Sequence, residues 1–251
     1  MSHLLAEDER RPVSVEREHG KSPFFLTCDH ASNHIPRSLV GLGLDSSDLQ
    51  RHIAWDIGAA GLSRRLADQL DATVVMQNYS RLVIDCNRPR DSEQLIPDKS
   101  ERTVIPGNQN LRELEREQRL SEIFFPYHEM IAALLDRRKE DKSTIFVAVH
   151  SFTPVYLDEA RPWHVGILFN DDRRIADQML KLLRDDSDLC VGENEPYRLD
   201  NNDYGIPLHG EGRGIPHVLI EVRQDLIASE VGQDEWALRL ARNLKKSLEA
   251  V

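Results

Sequence analysis

This sequence predicts an α/β layered fold with a largely parallel central sheet, and three observations carry the prediction. Short apolar runs end in histidine, carboxylate or arginine. Segments with apolar residues three and four apart lie between them. Runs and segments alternate along the chain. A parallel strand is covered on both faces, so it reads as continuous apolar residues, and chemistry collects at its C-terminal edge. Strands alternating with helices stack as layers.

Taken in order, residues 1–21 are polar and charged and predict a loosely attached arm, followed by one domain over 22–251. Phe24-Phe-Leu-Thr-Cys-Asp-His30 predicts a strand at 23–28 that delivers Asp29 and His30. Pro36, Gly41 and Gly43 make the next stretch a turn-rich connection. Leu49, Ile53, Ile57, Leu62, Leu66 and Leu70 have the spacing of an amphipathic helix over 47–70, with a break near Gly58. Strands are predicted at 72–76 and 82–86, the second inside Arg81-Leu-Val-Ile-Asp-Cys-Asn-Arg88. Residues 89–110 carry Pro89, Pro97 and Pro106 without periodicity, which marks a binding loop or lid. A long helix over 111–138, kinked near Pro126, leads to the run Thr144-Ile-Phe-Val-Ala-Val-His150. A strand at 164–169 and a helix over 171–184 follow. Residues 193–216, rich in Gly, Asn and Pro, predict a second site loop. His217-Val-Leu-Ile-Glu-Val-Arg223 supplies the last strand, and a helix over 234–248 closes the chain.

Composition narrows the function. The 251 residues, 40% hydrophobic and 30% charged, suit a globular protein with a substantial core. A net charge of -11 argues against a nucleic-acid binder, though local arginines can still serve a small anionic substrate. No apolar stretch approaches the roughly 20 residues of a membrane span, and the N-terminus lacks a signal peptide's apolar segment. Three sparse cysteines, Cys28, Cys86 and Cys190, fit a reducing cytoplasm better than a disulfide framework. Cys28 lies two residues before His30, but its strand position explains it without nucleophilic chemistry.

Histidines, carboxylates and arginines at four strand ends suggest a metal site beside an anion clamp. Catalytic zinc takes three protein ligands and keeps a fourth position open. His30 and His150 are the paired candidates, for zinc or another divalent transition metal with similar preferences. Asp56, in His52-Ile-Ala-Trp-Asp-Ile-Gly58, is the best third ligand; Asp29 competes, and the amide of Asn33 ranks third. Glu221 lies in an otherwise apolar strand, where an isolated carboxylate is costly, and is the candidate general base. Asn87 and Arg88, with Arg81 and Arg223, form the candidate clamp for a substrate carboxylate. His209 and Arg213 add contacts from the glycine-rich loop. His34, His52, His128 and His217 read mostly as structural or surface residues.

Cys28-Asp-His-Ala-Ser-Asn-His-Ile-Pro36, His52-Ile-Ala-Trp-Asp-Ile-Gly58, Asp85-Cys-Asn-Arg-Pro89, His150-Ser-Phe-Thr-Pro154 and Glu221-Val-Arg-Gln-Asp225 together resemble the motifs of the N-formylglutamate amidohydrolase family. The resemblance runs in the expected order from about residue 24 to 226. It implies a zinc-dependent amidohydrolase related to zinc carboxypeptidases and aspartoacylase, with their layered αβα fold and central mixed, largely parallel sheet (phosphorylase/hydrolase-like). It also implies two histidine ligands matching His30 and His150, a carboxylate-binding pair matching Asn87 and Arg88, and a catalytic glutamate matching Glu221. Carboxypeptidases place Glu three residues after the first His; this chain has Asn33 there. The expected partner is a small-molecule carboxylate such as N-formylglutamate. The alternatives are a carboxypeptidase-like or deacylase enzyme acting on peptides or cell-wall fragments, and a non-catalytic carboxylate binder.

Overall fold

A computed structural model describes residues 3–138 and 143–248; residues 1 and 2 of the expected arm and 249–251 of the expected domain lie outside them. A seven-stranded mixed sheet forms the middle layer. Its strands are β1 (Val13–Glu16), β2 (Phe24–Cys28), β3 (Thr73–Gln77), β4 (Ile145–Phe152), β5 (Val165–Leu168), β6 (Val191–Glu193) and β7 (His217–Arg223), in spatial order β1-β3-β2-β4-β7-β5-β6. The β1/β3 and β5/β7 pairs are antiparallel and the other four are parallel. The central strands β2 and β4 are buried throughout, as their unbroken apolar runs require.

One face of the sheet is covered by helices α1 (Ala59–Leu70), α3 (Ala176–Arg184) and α4 (Glu230–Ser247), which bury Leu62, Leu66, Met179, Leu183, Leu240 and Leu244. Each leucine fully withdrawn from water there contributes roughly 1.5–3 kcal/mol. Ser229 caps α4 by accepting a hydrogen bond from the Gly232 N–H at 3.2 Å. On the other face lie α2 (Phe125–Arg138) and the segment 79–108, which bury Tyr127, Ile131, Leu134, Leu82, Val83 and Ile84. Among the described residues no helix is long and apolar enough to cross a membrane.

Three expectations need correction. The segment expected to be a loose arm supplies edge strand β1 and buries Leu4. The helix expected over 47–70 is a single turn at Ser46–Leu49, a non-helical turn, and then α1. The helix expected over 111–138 is interrupted close to Pro126 as expected: it is helical at Glu113–Arg119, passes through a π-turn at Leu120–Phe124, and continues as α2. Pro126 has no N–H to give, so the helix register changes just before it.

The third correction concerns the site itself: residues 82–86 form no strand but turns and irregular backbone. Their apolar side chains fill the core, but their backbone is satisfied by other means. Val83 N–H bonds Ser80 O at 2.9 Å and Asp85 N–H bonds Leu95 O at 2.7 Å. The buried Arg119 guanidinium donates to Val83 O at 2.9 Å, and the Asn108 amide donates to Leu82 O at 2.8 Å. Side chains thus replace the ladder that a strand would have formed.

Candidate active site

Strands β2, β4 and β7 are adjacent and parallel, so their C-terminal ends open at one edge of the sheet. Glu221 of β7 stands level with His150 of β4, on the same face. Asp29 and His30 leave the end of β2 directly beside β4. Asp56 comes from the turn before α1, where its N–H bonds His30 O at 3.0 Å. Gly58 ends that turn at φ 82°; a Cβ there would lie 2.2 Å from Ile227 O, so only glycine fits.

His30, Asp56 and His150 are buried, and one ligand atom from each lies within 4.8 Å of the others. The Nδ1 of His30 lies 3.3 Å from Asp56 Oδ1, and the Nδ1 of His150 lies 2.8 Å from Asp56 Oδ2. The opposite ring nitrogens face carboxylates too. His30 Nε2 is 2.7 Å from Asp85 Oδ1, and His150 Nε2 is 3.4 Å from Asp29 Oδ2. Tyr127 donates its hydroxyl to the other oxygen of Asp29. Asp85 is fixed in turn by Arg81, which donates from Nε at 2.9 Å and Nη2 at 2.6 Å, and by the Asn87 N–H at 2.9 Å.

This donor set fits a divalent transition metal. Asp85, accepting from His30 Nε2–H, leaves the His30 Nδ1 lone pair turned toward Asp56, as in a metal site with a hydrogen-bonded outer shell, and His150 presents its own Nδ1 to the same carboxylate. His30 Nδ1 is buried without a hydrogen-bond partner. Two imidazoles and a carboxylate match the ligand number and type of a hydrolytic zinc site. Asn33 is elsewhere, giving its amide to Leu49 O at 2.8 Å, and Asp29 sits behind His150. Burial alone would push the Asp56 carboxyl up; His30 and His150 outweigh it and hold the group well below the usual carboxylate range.

Glu221 behaves in the opposite way. Burial pushes its carboxyl up to about 7, and its Oε2 has no hydrogen-bond partner. It lines a cavity of about 550 Å³ together with His30, Asp56 and His150. The two loops anticipated from sequence form the wall: Lys99 and Glu101 come from 89–110, and Tyr197, Arg198 and Asp203 come from 193–216. A larger groove of about 910 Å³ next to it contains none of the four central residues and is not the seat of this chemistry.

The substrate-binding candidates divide. Asn87 and Arg88 line the cavity, as does Arg81, whose guanidinium is committed to Asp85 and lies 3.6 Å from Asp56. Arg223 and His209 are not brought to the wall. Arg223 pairs with Asp225 at 2.8 Å and donates to Pro162 O, while His209 is buried with its Nε2 3.0 Å from His128 Nδ1. Cys28 is buried and its thiol is pushed far up by that burial, which removes it as a nucleophile.

The N-formylglutamate amidohydrolase pattern matches residues 22–228, more than half of the chain. The chain belongs to the N-formylglutamate amidohydrolase family. The gene product Atu2144 from Agrobacterium tumefaciens has a similar structure, with a TM-score of 0.95 at 39% identity over 98% of each chain. An N-formylglutamate amidohydrolase from Ralstonia eutropha JMP134 shares the fold, with a TM-score of 0.73 at 15% identity over 96% of this chain and 100% of its own. No curated protein matches the chain.

Within this amidohydrolase family framework, several wall residues have no role in the sequence reading. Asp85 falls inside a quoted motif, but its contact with His30 joins positions 55 residues apart. Asp203 reaches Asn87 from 116 residues away. Lys99 and Arg198 line the cavity without an ion pair among the described residues. The two loops are no richer in charge than the chain as a whole, so composition gives no local signal for these last three.

Proposed function

We propose that this chain hydrolyses the amide bond of an N-formyl or other small N-acyl derivative of an acidic amino acid, such as N-formyl-L-glutamate. His30, Asp56 and His150 would hold zinc or a similar divalent ion. Bound there, such an ion supplies polarisation of the scissile carbonyl and a lowered pKa for water. Glu221 accepts the proton of the attacking water and delivers it to the leaving amine. Its raised pKa suits both transfers near neutral pH. Asp85 holds the His30 imidazole in place, and Asp29 faces the outer nitrogen of His150. Asn87 and Arg88 fix the substrate carboxylate, while Lys99 and Arg198 offer free cations to a second one. Three cysteines without disulfides fit the cytoplasm as its compartment.

The observation that carries this reading is Glu221: a buried carboxylate level with His150, its Oε2 unpartnered, on the wall of the cavity. The cavity also supports a broader acyl-group range. Its 550 Å³ lies within the roughly 300–1,000 Å³ typical of ligand sites, ample for groups longer than formyl. The direct test is release of glutamate from N-formyl-L-glutamate with and without a chelator. Release that stops with chelator and returns with zinc supports the proposal; release indifferent to chelator refutes its metal step. Zinc-loaded protein that spares this substrate but cleaves longer acyl or peptide amides would favour the deacylase reading. Arg88→Ala is expected to raise KM by about 10- to 100-fold with little change in kcat, the loss of one charge-assisted contact. An unchanged KM removes Arg88 from the clamp.

A further inference from the structure

The clamp assigned to the substrate carboxylate already holds a carboxylate of the protein. Asn87 donates from Nδ2 to Asp203 Oδ1 at 3.0 Å, and Arg88 Nη1 lies 3.5 Å from the same oxygen. Both charged side chains are largely withdrawn from water, with 19% of Arg88 and 15% of Asp203 exposed. Asp203 is the only anion within ion-pair distance of Arg88 among the described residues; the other acceptors of that guanidinium are Asn87 O, Asn202 O and Gln94 Oε1.

Resting on the proposed amidohydrolase reading, we infer that Asp203 is an internal competitor for the carboxylate clamp. It occupies Asn87 and Arg88 in the resting protein and turns away when a substrate carboxylate enters. Its backbone need not move. The loop is anchored separately by Tyr204 and Gly205, whose N–H groups donate to Asn87 Oδ1 at 3.1 and 2.9 Å. Gly205 lies so close that a Cβ would sit 3.3 Å from Asp29 Oδ2 and 3.4 Å from Asn87 Oδ1. Asp203 borders both the 550 Å³ cavity and the 910 Å³ groove, so rotation of its side chain carries the carboxylate from one into the other. Its remaining acceptor role, toward the Asp200 N–H at 3.0 Å, is with an exposed turn of the same loop. Burial also raises its carboxyl pKa, consistent with incomplete compensation by the clamp.

The consequence is selectivity. A ligand with a carboxylate exchanges like for like and gains entry, whereas a neutral ligand must displace an ion pair with nothing to replace it. Only the fraction of molecules with an open clamp binds, so removing the competitor tightens carboxylate binding.

The test is calorimetric binding of glutarate, which has the two carboxylates but no amide, to the full zinc-supplemented chain. Asp203→Asn is expected to lower the Kd for glutarate by about fivefold or more. Adding Arg88→Ala to that variant should abolish the gain. Asp203→Ser, smaller and still polar, should reproduce the tightening if the asparagine variant folds poorly. An unchanged or weaker Kd in both single variants makes Asp203 an organiser of Arg88 and overturns the inference. Absence of glutarate binding in all forms overturns it too. Because no turnover is read, an enzyme acting on a different amide would fail the function assay and leave this result intact.

Discussion

Glu221→Gln is expected to lower kcat on the hydrolysed amide by about 10²- to 10⁴-fold, the usual contribution of a general base, while the bound metal stays stoichiometric. Glutamine keeps the size of the side chain and cannot take a proton from water. The fold should tolerate it well. Glu221 is 6% exposed, its Oε2 has no partner, and burial already drives it toward the neutral form. Removing a buried charge that lacks full compensation is neutral or stabilising, so the melting temperature should hold or rise. Parallel measurement of kcat, metal content and melting temperature separates the possible roles. Loss of metal would make Glu221 a ligand. Unchanged kcat would leave the proton with another group. A fall in stability together with kcat would point to a structural carboxylate.

Much of the layered fold is legible because burial leaves a strong trace in the residues. Strands β2, β4 and β7 are central, hence nearly all apolar, and apart from His217 at the start of β7 their polar residues lie toward the end where the sheet edge opens. The same rule misleads at 82–86. Leu82, Val83 and Ile84 are fully buried, but their carbonyls and N–H groups are satisfied by Arg119, Asn108 and local turns. An apolar run reports burial, not the source of its hydrogen bonds, and those partners lie far along the chain. Strand β1 is hidden for the reverse reason: it is a half-buried four-residue edge whose only apolar residues are Val13 and Val15, amid charged neighbours. The antiparallel entry of β5 leaves no mark in its own composition.

The site follows the same pattern. His30, His150 and Glu221 are visible because polar groups in apolar strands are costly and call for a reason. Asp56 needs the turn closed by Gly58 before it reaches them. Arg223 and His209 show the limit of residue type as a guide. Arg223 follows Glu221 by two positions on one strand, but a nearby carboxylate, Asp225, holds its guanidinium beside Pro162 and Trp163. His209 lies in a loop that does reach the wall, but its own turn folds the ring inward against His128.

Asp56→Asn and Asp85→Asn should separate the ligand from its support. In Asp56→Asn the zinc content is expected to fall below stoichiometric and amide hydrolysis to background. An amide is a poor zinc ligand, and its NH₂ can turn a donor toward the two imidazoles that Asp56 now spans at 3.3 and 2.8 Å. Asp85→Asn is expected to keep the metal but weaken its affinity by about 10- to 100-fold, the range for a lost outer-shell partner. Its effect passes through His30, 2.7 Å away, and through Arg81, which would lose its closer carboxylate. Competition with a fluorescent chelator gives both affinities on one scale. Equal losses in the two variants would mean that Asp85 itself contributes to the metal site. Wild-type affinity in Asp56→Asn would shift the third ligand to Asp29, whose Oδ2 is buried and unpartnered 3.4 Å from His150. Asp29→Asn would then be the variant that loses the metal, and the imidazoles would have to present their Nε2 atoms to it instead of Nδ1.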